Sequence, residues 1–303
     1  IERFPIEEPK RPRLRAGKHA NPALFFHTRV SSPSGEKGSN LSRQGQPRSR
    51  RLFSRPVVAP GMDDVRFRDP AGSVREGLWH DDHVHFGDDA YDLEEVDVLA
   101  PSEPTKIVCV GRNYARHADE RGEDVPDRPL LFLKPPNAVA THGSTITLPE
   151  GKDRVEHEAE LAVVIDRQCK DVAPEDAEEV IRGYTCFNDI SNRDDQDREQ
   201  NWVRGKAFDN AAPMGPVLTE DIPDDAAIRL RVNGQTRQDS SIEHFIFSIP
   251  ELIAEITTYM TLEPGDVIAT GTPEGVGPLT DGDRVEVEIE GVGTLEHEVR
   301  QAE

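Results

Sequence analysis

Apolar residues in this chain fall mainly into short runs bounded by Gly, Pro and Asp, a pattern that is typical of β-rich proteins. Alternation of apolar and polar residues at 65–67 and 83–86 predicts a small N-terminal β unit. Asn233-Gly234, and Gly291 with Gly293, each predict a hairpin. Helical spacing occurs at 112–121, 174–182 and 250–260. Further predicted strands cover 107–111, 130–133, 145–148, 158–165, 184–189 and 267–270.

Many short strands and few helices predict an α+β fold that is mostly β, with a folded-over or barrel-like sheet. Residues 62–104 form the predicted N-terminal β unit, and residues 105–303 form the main domain. Residues 1–61 are rich in Arg, Ser, Pro and Gly and lack any helix or strand period. We expect this extension to be disordered, or to be translated from upstream of a start at Met62. A basic arm that binds nucleic acid or targets an organelle is the alternative, which the lack of interleaved aromatic residues disfavours.

The charge of the chain changes sign at the same place. Residues 1–61 carry 13 basic and 4 acidic side chains, whereas residues 62–303 carry 23 basic and 54 acidic ones, a net charge of −31. Such an acidic surface repels nucleic acid and anionic membranes. It suits a protein that stays hydrated in concentrated salt, where screening weakens the self-repulsion. We therefore expect a halophile's protein, with an ordinary acidic enzyme as the alternative.

Two further features of the sequence bear on the cellular compartment of the protein. No run approaches the roughly 20 apolar residues of a membrane span, and the first residues do not resemble a secretion signal. The cysteines Cys109, Cys169 and Cys186 are widely spaced and odd in number. This spacing favours buried thiols in a reducing compartment over a disulfide framework or a metal site. We expect a cytoplasmic protein with neither membrane nor nucleic-acid partners.

The motif Glu158-Ala159-Glu160 begins a predicted strand that turns apolar. Residues two apart on a strand point to the same face, and two adjacent carboxylates repel each other unless they share a cation or a proton. Asp189, at the end of another predicted strand, supplies a third oxygen ligand. Oxygen ligands select hard cations such as Mg²⁺, Ca²⁺ or Mn²⁺. A solvated strand face is the alternative, and the apolar run after Glu160 argues against it.

Other candidate residues carry weaker signals. His117 and Glu120 share a face of a predicted helix, where a carboxylate can make an imidazole a better base; a surface ion pair is the alternative. Lys134 and Lys206 are two of only five lysines after Met62. Either ammonium could bind a second anionic oxygen of a substrate, or could simply be solvated. The loop 270–275 is Gly-rich without a P-loop lysine, so we expect it to bind a carboxylate at most.

Ordered motifs across roughly residues 64–300 resemble the fumarylacetoacetate hydrolase family, in particular its short branch of acylpyruvate hydrolases and 2-hydroxyhepta-2,4-diene-1,7-dioate isomerases. The resemblance implies a twisted, barrel-like β sheet, a catalytic domain over 105–303 and a homodimer. One position departs from the family pattern, because His157 stands where an aromatic residue such as Tyr is expected; it could add a ligand, but we expect it to pack. The matching segments are 106–114, 131–135, 158–164, 183–196, 205–209, 264–268, 270–273 and 291–295.

The resemblance also implies roles for individual residues. Glu158, Glu160 and Asp189 match the family's Mg²⁺ ligands, and Mn²⁺ or Ca²⁺ are alternatives. His117 and Glu120 match a lid pair that activates water. Lys206 matches the lysine beside the metal. Substrate-binding positions are matched by Arg112, Asn113, Tyr114, Gln196 and Thr272, to which we add Lys134.

The implied activity is chemistry on a small 2-oxo acid or its enol through a metal-stabilised enolate. We expect C–C bond hydrolysis or isomerisation in aromatic-compound catabolism. One alternative is a lyase, meaning an oxaloacetate-type decarboxylase or a sugar-acid dehydratase. A non-enzymatic metal-binding protein is disfavoured, because a binding protein has no need of the His117 and Glu120 base.

Overall fold

The computed structural model describes residues 63–80, 83–115 and 126–302. The extension 1–61 lies outside the described residues, as do His117, Glu120 and most of the helix predicted over 112–121. None of the helices within the described part is long and apolar enough to cross a membrane.

The mostly-β character predicted from the sequence is confirmed. The strands are β1 (Asp63–Arg68), β2 (Val74–His80), β3 (His83–Phe86), β4 (Asp89–Asp92), β5 (Asp97–Val98), β6 (Ile107–Gly111), β7 (Leu130–Lys134), β8 (Val139–Ala140), β9 (Thr145–Leu148), β10 (Val155–His157), β11 (Ala159–Ile165), β12 (Ile181–Asn188), β13 (Ser191–Asn192), β14 (Ala212–Thr219), β15 (Ala227–Val232), β16 (Gln235–Ser241), β17 (Val267–Ala269), β18 (Gly277–Pro278), β19 (Arg284–Ile289) and β20 (Gly293–Gln301). The α-helices of the described residues are α1 (Arg193–Gln196), α2 (Val203–Lys206) and α3 (Ile249–Tyr259). Short 3₁₀ helices cover Leu93–Glu95, Pro136–Ala138, Pro174–Val180 and Ile242–His244.

The largest sheet has twelve strands and places β11 near its middle. Its order is β4-β3-β2-β1-β14-β12-β11-β17-β6-β7, with β5 beside β1 and β8 beside β14. All seven residues of β11 are buried, because other layers cover both of its faces. Leu161 and Val163 point to one face, where they pack with the apolar residues of the five-stranded sheet and with α3, whereas Ala162 points to the other face and packs in a separate cluster with Cys109 and Phe187. The strand that carries Glu160 therefore runs through the core.

Two smaller sheets complete the described fold. A five-stranded sheet has the order β16-β15-β19-β20-β9, and a three-stranded sheet has the order β13-β10-β18. Both predicted hairpins are confirmed in the five-stranded sheet, as β15–β16 and β19–β20. The N-terminal strands β1 to β5 pair with one another and join the main sheet where β1 lies beside β14.

Two predicted helices have different outcomes. The helix predicted over 250–260 is confirmed as α3, whose buried face carries Leu252, Ile253 and Ile256. The α-helical prediction for 174–182 is wrong in the type of helix and in its last two residues. A 3₁₀ helix ends at Val180, and Ile181 already begins β12. The isoleucine belongs to the apolar pattern of the strand, and the acidic run before it is long enough for only two tight turns.

Candidate metal centre and substrate cavity

Three carboxylates meet where β11 begins and β12 ends. The two strands are antiparallel, with Ala159 opposite Asn188, so Glu158 just before β11 lies beside Asp189 just after β12. Glu160, two residues further on, points to the same side as Glu158. One oxygen of each carboxylate lies within 4.8 Å of the others, and all three side chains are buried. The predicted ligand set is thus assembled in one place.

Side-chain hydrogen bonds hold the backbone at this point, because the strand ladder is interrupted there. Glu158 lies between β10 and β11 and belongs to neither. Its N–H donates to Asn188 Oδ1 at 2.9 Å, and its carbonyl oxygen accepts from the Asp189 N–H at 2.9 Å. The break lets Glu158 turn toward Asp189 without leaving buried backbone groups unpaired.

Lys206, at the end of α2, binds two of the carboxylates. Its Nζ donates to Glu158 Oε2 at 2.8 Å, to Asp189 Oδ2 at 2.6 Å and to Ser191 Oγ at 2.5 Å. Burial alone would lower the pKa of Lys206, but Asp189 and Glu158 raise it above its usual value. An ammonium has three protons, so these acceptors use its whole donor capacity. Lys206 therefore organises the two carboxylates in this arrangement.

Lys134 lies behind Asp189, away from the open side of the site. Its Nζ is 2.8 Å from Asp189 Oδ1 and donates to the carbonyl oxygens of Ile190 and Ala211, at 3.0 and 2.8 Å. Complete burial lowers the pKa of this ammonium. The contact supports Asp189 from the protein side.

Arg193, on α1, is a buried guanidinium that was not predicted as a site residue. Its Nη2 donates to Glu158 Oε1, its Nε to Glu156 Oε2 at 2.7 Å, and its Nη1 to Gln196 Oε1 at 2.7 Å. One side chain thereby fixes both a candidate ligand carboxylate and a predicted substrate-binding amide. The rigid fork of the guanidinium suits this role better than a flexible ammonium would.

Glu160 differs from the other two carboxylates, because it forms no ion pair with any described residue. Its Oε2 accepts the N–H of Gly271 at 2.8 Å. Burial, and then the charges of Asp189 and Glu158, raise the pKa of Glu160 well above its usual value. Gly271 has φ +100°, and a Cβ there would lie 2.8 Å from Asn113 Cβ, so only glycine allows this close hydrogen bond.

The donor set fits a hard divalent cation. Three buried carboxylates at this separation repel one another unless a cation or a shared proton lies between them, and oxygen ligands favour Mg²⁺, Mn²⁺ or Ca²⁺. By formal charge the acids outnumber the buried cations by one, so a divalent ion would change the local charge from about −1 to +1. The groups in this balance are Glu156, Glu158, Glu160 and Asp189 against Lys134, Arg193 and Lys206.

A cavity of about 310 Å³ opens onto the carboxylates. Its apolar wall includes Phe132 and Trp202, whose rings pack edge to face with centroids 5.4 Å apart. The Phe132 ring also covers Lys206 Nζ at 4.7 Å. A larger groove of about 690 Å³ contains none of the three carboxylates. The small cavity is therefore the relevant one.

The predicted substrate-binding residues divide into two groups. Gln196, Thr272 and Arg112 line the cavity. Asn113 and Tyr114 lie in its supporting structure: the Asn113 amide bonds the backbone of Phe247 and Thr270, and the Tyr114 ring packs on Phe245. Lys134 belongs with the second group, and His117 and Glu120 lie outside the described residues.

Arg193, Gln238 and Trp202 are the site residues that the sequence reasoning missed. Arg193 stands within the motif that follows Asp189, and its position three residues before Gln196 could have indicated it. Gln238 carries no local signal, because it reaches the site from a different sheet. His157 packs: its Nδ1 faces Gln238 Oε1 at 3.2 Å, and it is not among the clustered ligands.

Comparisons with known proteins identify the family to which the chain belongs. Residues 106–300 match the family described as fumarylacetoacetate (FAA) hydrolase C-terminal. The solved structure of 5-carboxymethyl-2-hydroxymuconate delta-isomerase from Mycobacterium smegmatis is 42% identical, with a TM-score of 0.74 over 80% of this chain and 100% of its own. Fumarylpyruvate hydrolase from Pseudomonas aeruginosa, solved with Mn²⁺ and pyruvate, is 35% identical, with a TM-score of 0.64 over 72% of this chain and 94% of its own. Oxaloacetate tautomerase YisK from Bacillus subtilis is 42% identical over 69% of this chain and 75% of its own.

Proposed function

Because the chain belongs to the fumarylacetoacetate hydrolase family, we propose that it is a Mg²⁺-dependent enzyme acting on a small 2-oxo acid or its enol. The proposed reaction is C–C bond hydrolysis or isomerisation. The observation that carries this proposal is the buried cluster of Glu158, Glu160 and Asp189 at the end of a cavity. A volume of about 310 Å³ is at the lower end of the range for ligand pockets, which favours a small substrate.

The residues around the cavity would have different roles in such a reaction. A divalent cation on the three carboxylates would supply Lewis-acid stabilisation of negative charge on the 2-oxygen of the substrate. Lys206 and Arg193 hold Glu158 in position, and Gly271 holds Glu160. Gln196 can offer its amide protons to the cavity, because its carbonyl oxygen accepts from Arg193. Hydrolysis also needs a base for water, a role that we propose for His117 with Glu120.

A second candidate is the keto–enol tautomerisation of oxaloacetate. The similar Bacillus subtilis protein is named an oxaloacetate tautomerase, and tautomerisation needs only proton transfer next to the carbonyl, without attack by water. Decarboxylation of oxaloacetate also needs no water, so a lyase remains an alternative. The role in aromatic-compound catabolism and the homodimer remain predictions; sedimentation velocity of the purified protein tests the homodimer.

A substrate panel separates these activities. The purified protein is assayed with an acylpyruvate, a 2-hydroxy-dienedioate and the enol of oxaloacetate, each with Mg²⁺ and with EDTA. We expect turnover of at least one of these compounds, and its loss in EDTA. The variant His117→Ala should lose hydrolysis but retain decarboxylation. Turnover that survives exhaustive chelation would contradict the proposal.

The metal role of Glu160 can be tested directly. We expect Glu160→Gln to lose the rise in melting temperature that Mg²⁺ gives the wild type. Loss of an outer-sphere partner already lowers metal affinity by about 10–100-fold, so loss of a ligand should lower it by at least about 100-fold. The glutamine keeps an oxygen for the Gly271 N–H, so the metal-free variant should remain folded. Titration calorimetry with MgCl₂ measures the affinity.

Glu156→Gln is the matched control, because Glu156 contacts Arg193 but is not among the clustered ligands. It should lower Mg²⁺ affinity much less than Glu160→Gln does. A Glu160→Gln protein that still binds Mg²⁺ with wild-type affinity would sink the assignment.

A further inference from the structure

Gln238 is a fully buried amide that connects the metal-binding strand to the Gly-rich turn. It lies on β16 of the five-stranded sheet. Its Oε1 accepts from the Ala159 N–H at 3.0 Å, between the two glutamate ligands. Its Nε2 donates to the Pro273 carbonyl at 2.9 Å and to Thr272 Oγ1 at 2.8 Å. A single side chain from another sheet thus contacts both walls of the site.

The orientation of the Gln238 amide is fixed by two backbone groups, one of which can only donate a hydrogen bond and the other only accept one. A backbone N–H can only donate, and a backbone carbonyl can only accept. The Ala159 N–H therefore requires the oxygen of Gln238 on its side, and the Pro273 carbonyl requires the nitrogen on the other side. Once both are satisfied, the second Nε2 proton points at Thr272 Oγ1.

The fixed amide determines the direction of the next hydrogen bond. Thr272 Oγ1 must accept from Gln238, so its own proton has to point elsewhere. Thr272 lines the cavity beside the carboxylates, and its hydroxyl forms no other hydrogen bond within the described part of the chain. The proton is therefore available to a ligand in the cavity.

We propose that Gln238 is a positioning residue that makes Thr272 a hydrogen-bond donor to the carboxylate of the 2-oxo acid. The inference rests on the proposed function, which supplies the anionic ligand. Without Gln238 the hydroxyl could rotate and present a lone pair to the anion, which would repel it. The five-stranded sheet would then contribute to substrate affinity without touching the substrate.

Gln238→Met tests this role, because methionine has a similar length but cannot donate. The probe is pyruvate, whose dissociation constant is measured by calorimetry at saturating MgCl₂. A hydrogen bond to a charged group affects binding by about 10-fold or more, so we expect pyruvate to bind about 10-fold more weakly to Gln238→Met. Thr272→Val should weaken binding similarly, and Thr272→Ser should restore it. The affinity for Mg²⁺ alone should change little in all three variants.

A double variant separates positioning from a general structural effect. If Gln238 acts through Thr272, Gln238→Met should cause no further loss of pyruvate affinity in the Thr272→Val protein. Gln238→Glu provides a second variant should methionine impair folding: a carboxylate there would take the Thr272 proton, so pyruvate binding should weaken further than in Thr272→Val.

The outcomes are distinct. Equal losses from Gln238→Met in the wild type and in Thr272→Val would overturn the inference, because Gln238 would then act independently of Thr272. Wild-type affinity in Gln238→Met or Gln238→Glu would overturn it too, while leaving the proposed function intact. A wild-type protein that binds Mg²⁺ but no pyruvate overturns the proposed function, and this inference falls with it.

Discussion

Asn188 fixes the protonation state of a histidine next to the candidate metal centre. Its Oδ1 accepts from the Glu158 N–H, so its Nδ2 must face His297 Nε2, at 2.9 Å. That ring nitrogen therefore has to accept, which requires the neutral form of His297. Burial lowers the pKa of His297 to about 4. The hydrogen bond behind the ligand strand thus depends on a histidine that resists protonation.

This arrangement makes the protein sensitive to acid. Histidine in the unfolded chain has a pKa near 6.5, whereas that of folded His297 is about 4. Between these values the unfolded state binds a proton that the folded state excludes, so stability falls as the pH decreases. From pH 7 to pH 5 we expect His297 to account for a loss of about 2 kcal/mol. Urea unfolding of wild type and His297→Gln at both pH values measures it.

The variant keeps an acceptor for Asn188 but cannot be protonated. Its loss of stability between pH 7 and pH 5 should therefore be smaller by about 2 kcal/mol. His244→Gln, at an exposed position, is the control and should show the wild-type loss. Identical acid sensitivity in wild type and His297→Gln would rule out this explanation.

At the residue scale, the three carboxylates could be predicted from the sequence, whereas Gln238 could not. Glu158, Glu160 and Asp189 could be predicted because strand alternation acts within a few residues, and because a run of apolar residues follows Glu160. Nothing local distinguishes Gln238 from a solvated glutamine on a hairpin. Its burial arises only when the five-stranded sheet packs over β11, and such a contact has no periodicity in the sequence.

The short helices α1 and α2 bring Gln196 and Lys206 to the same cavity by packing closely. Gly205 lies at their contact, where a Cβ would be 2.8 Å from Gln196 Cβ and 3.0 Å from Gln196 Cα. These atoms belong to or adjoin the backbone and cannot swing aside. The close approach therefore depends on glycine at position 205.

Gly205→Ala should push α2 away from α1. Because Lys206 is the next residue, its Nζ would lose its position between Glu158 and Asp189. We expect about 1–3 kcal/mol of destabilisation, as for other overpacked sites, together with a roughly 10-fold loss of Mg²⁺ affinity. Chemical unfolding and calorimetry measure the two effects.

Gly277→Ala is the matched control, since a Cβ there would meet only His157 Nε2, at an ordinary 3.5 Å. It should leave both stability and Mg²⁺ affinity close to wild type. If Gly205→Ala behaved like this control, the packing of α2 on α1 would not be what positions Lys206.

A helix or strand could be predicted from the sequence where a single residue pattern dominates the segment. The strand β6 was predicted with its observed bounds, because Ile107 to Val110 are apolar and Gly111 follows. The α3 helix has Pro250 in its first turn, and the Ser248 N–H and hydroxyl both donate to Glu251 Oε2. The segment 174–182 carries two conflicting signals, an acidic helical pattern and the start of a strand. Pairing of β12 with β11 and β14 decided between them.

At the scale of the whole molecule, three sheets meet at the cavity. The main sheet supplies Glu160, the three-stranded sheet holds the strand before Glu158 and the strand after Asp189, and the five-stranded sheet supplies Gln238. The fold class could be predicted from strand count and turn residues alone. The order of the strands could not, because strands far apart in sequence pair with each other, as β1 does with β14.

The net charge of the whole molecule determines how its stability should respond to salt. Residues 62–303 carry a net charge of −31, which destabilises a compact state by self-repulsion at low ionic strength. Raising the salt concentration to 1 M shortens the screening length to about 3 Å. Each kcal/mol of relieved repulsion raises Tm by about 2–4 °C in a domain of this size. We therefore expect Tm to rise by at least about 4 °C between 0.1 M and 2 M KCl.

A charge-reduced variant distinguishes screening from general effects of salt on the hydrophobic core. Three exposed acids of the 3₁₀ helix Pro174–Val180 form no ion pair with any described residue, so they can be neutralised together. The variant is Glu175→Gln, Asp176→Asn and Glu178→Gln. Because less repulsion remains to be screened, this variant should be more stable than wild type at 0.1 M KCl and should gain less from 2 M KCl. Scanning calorimetry of both proteins measures the difference. Equal gains in both would mean that salt acts through burial of apolar surface and that the acidic charge is not what makes the fold depend on salt.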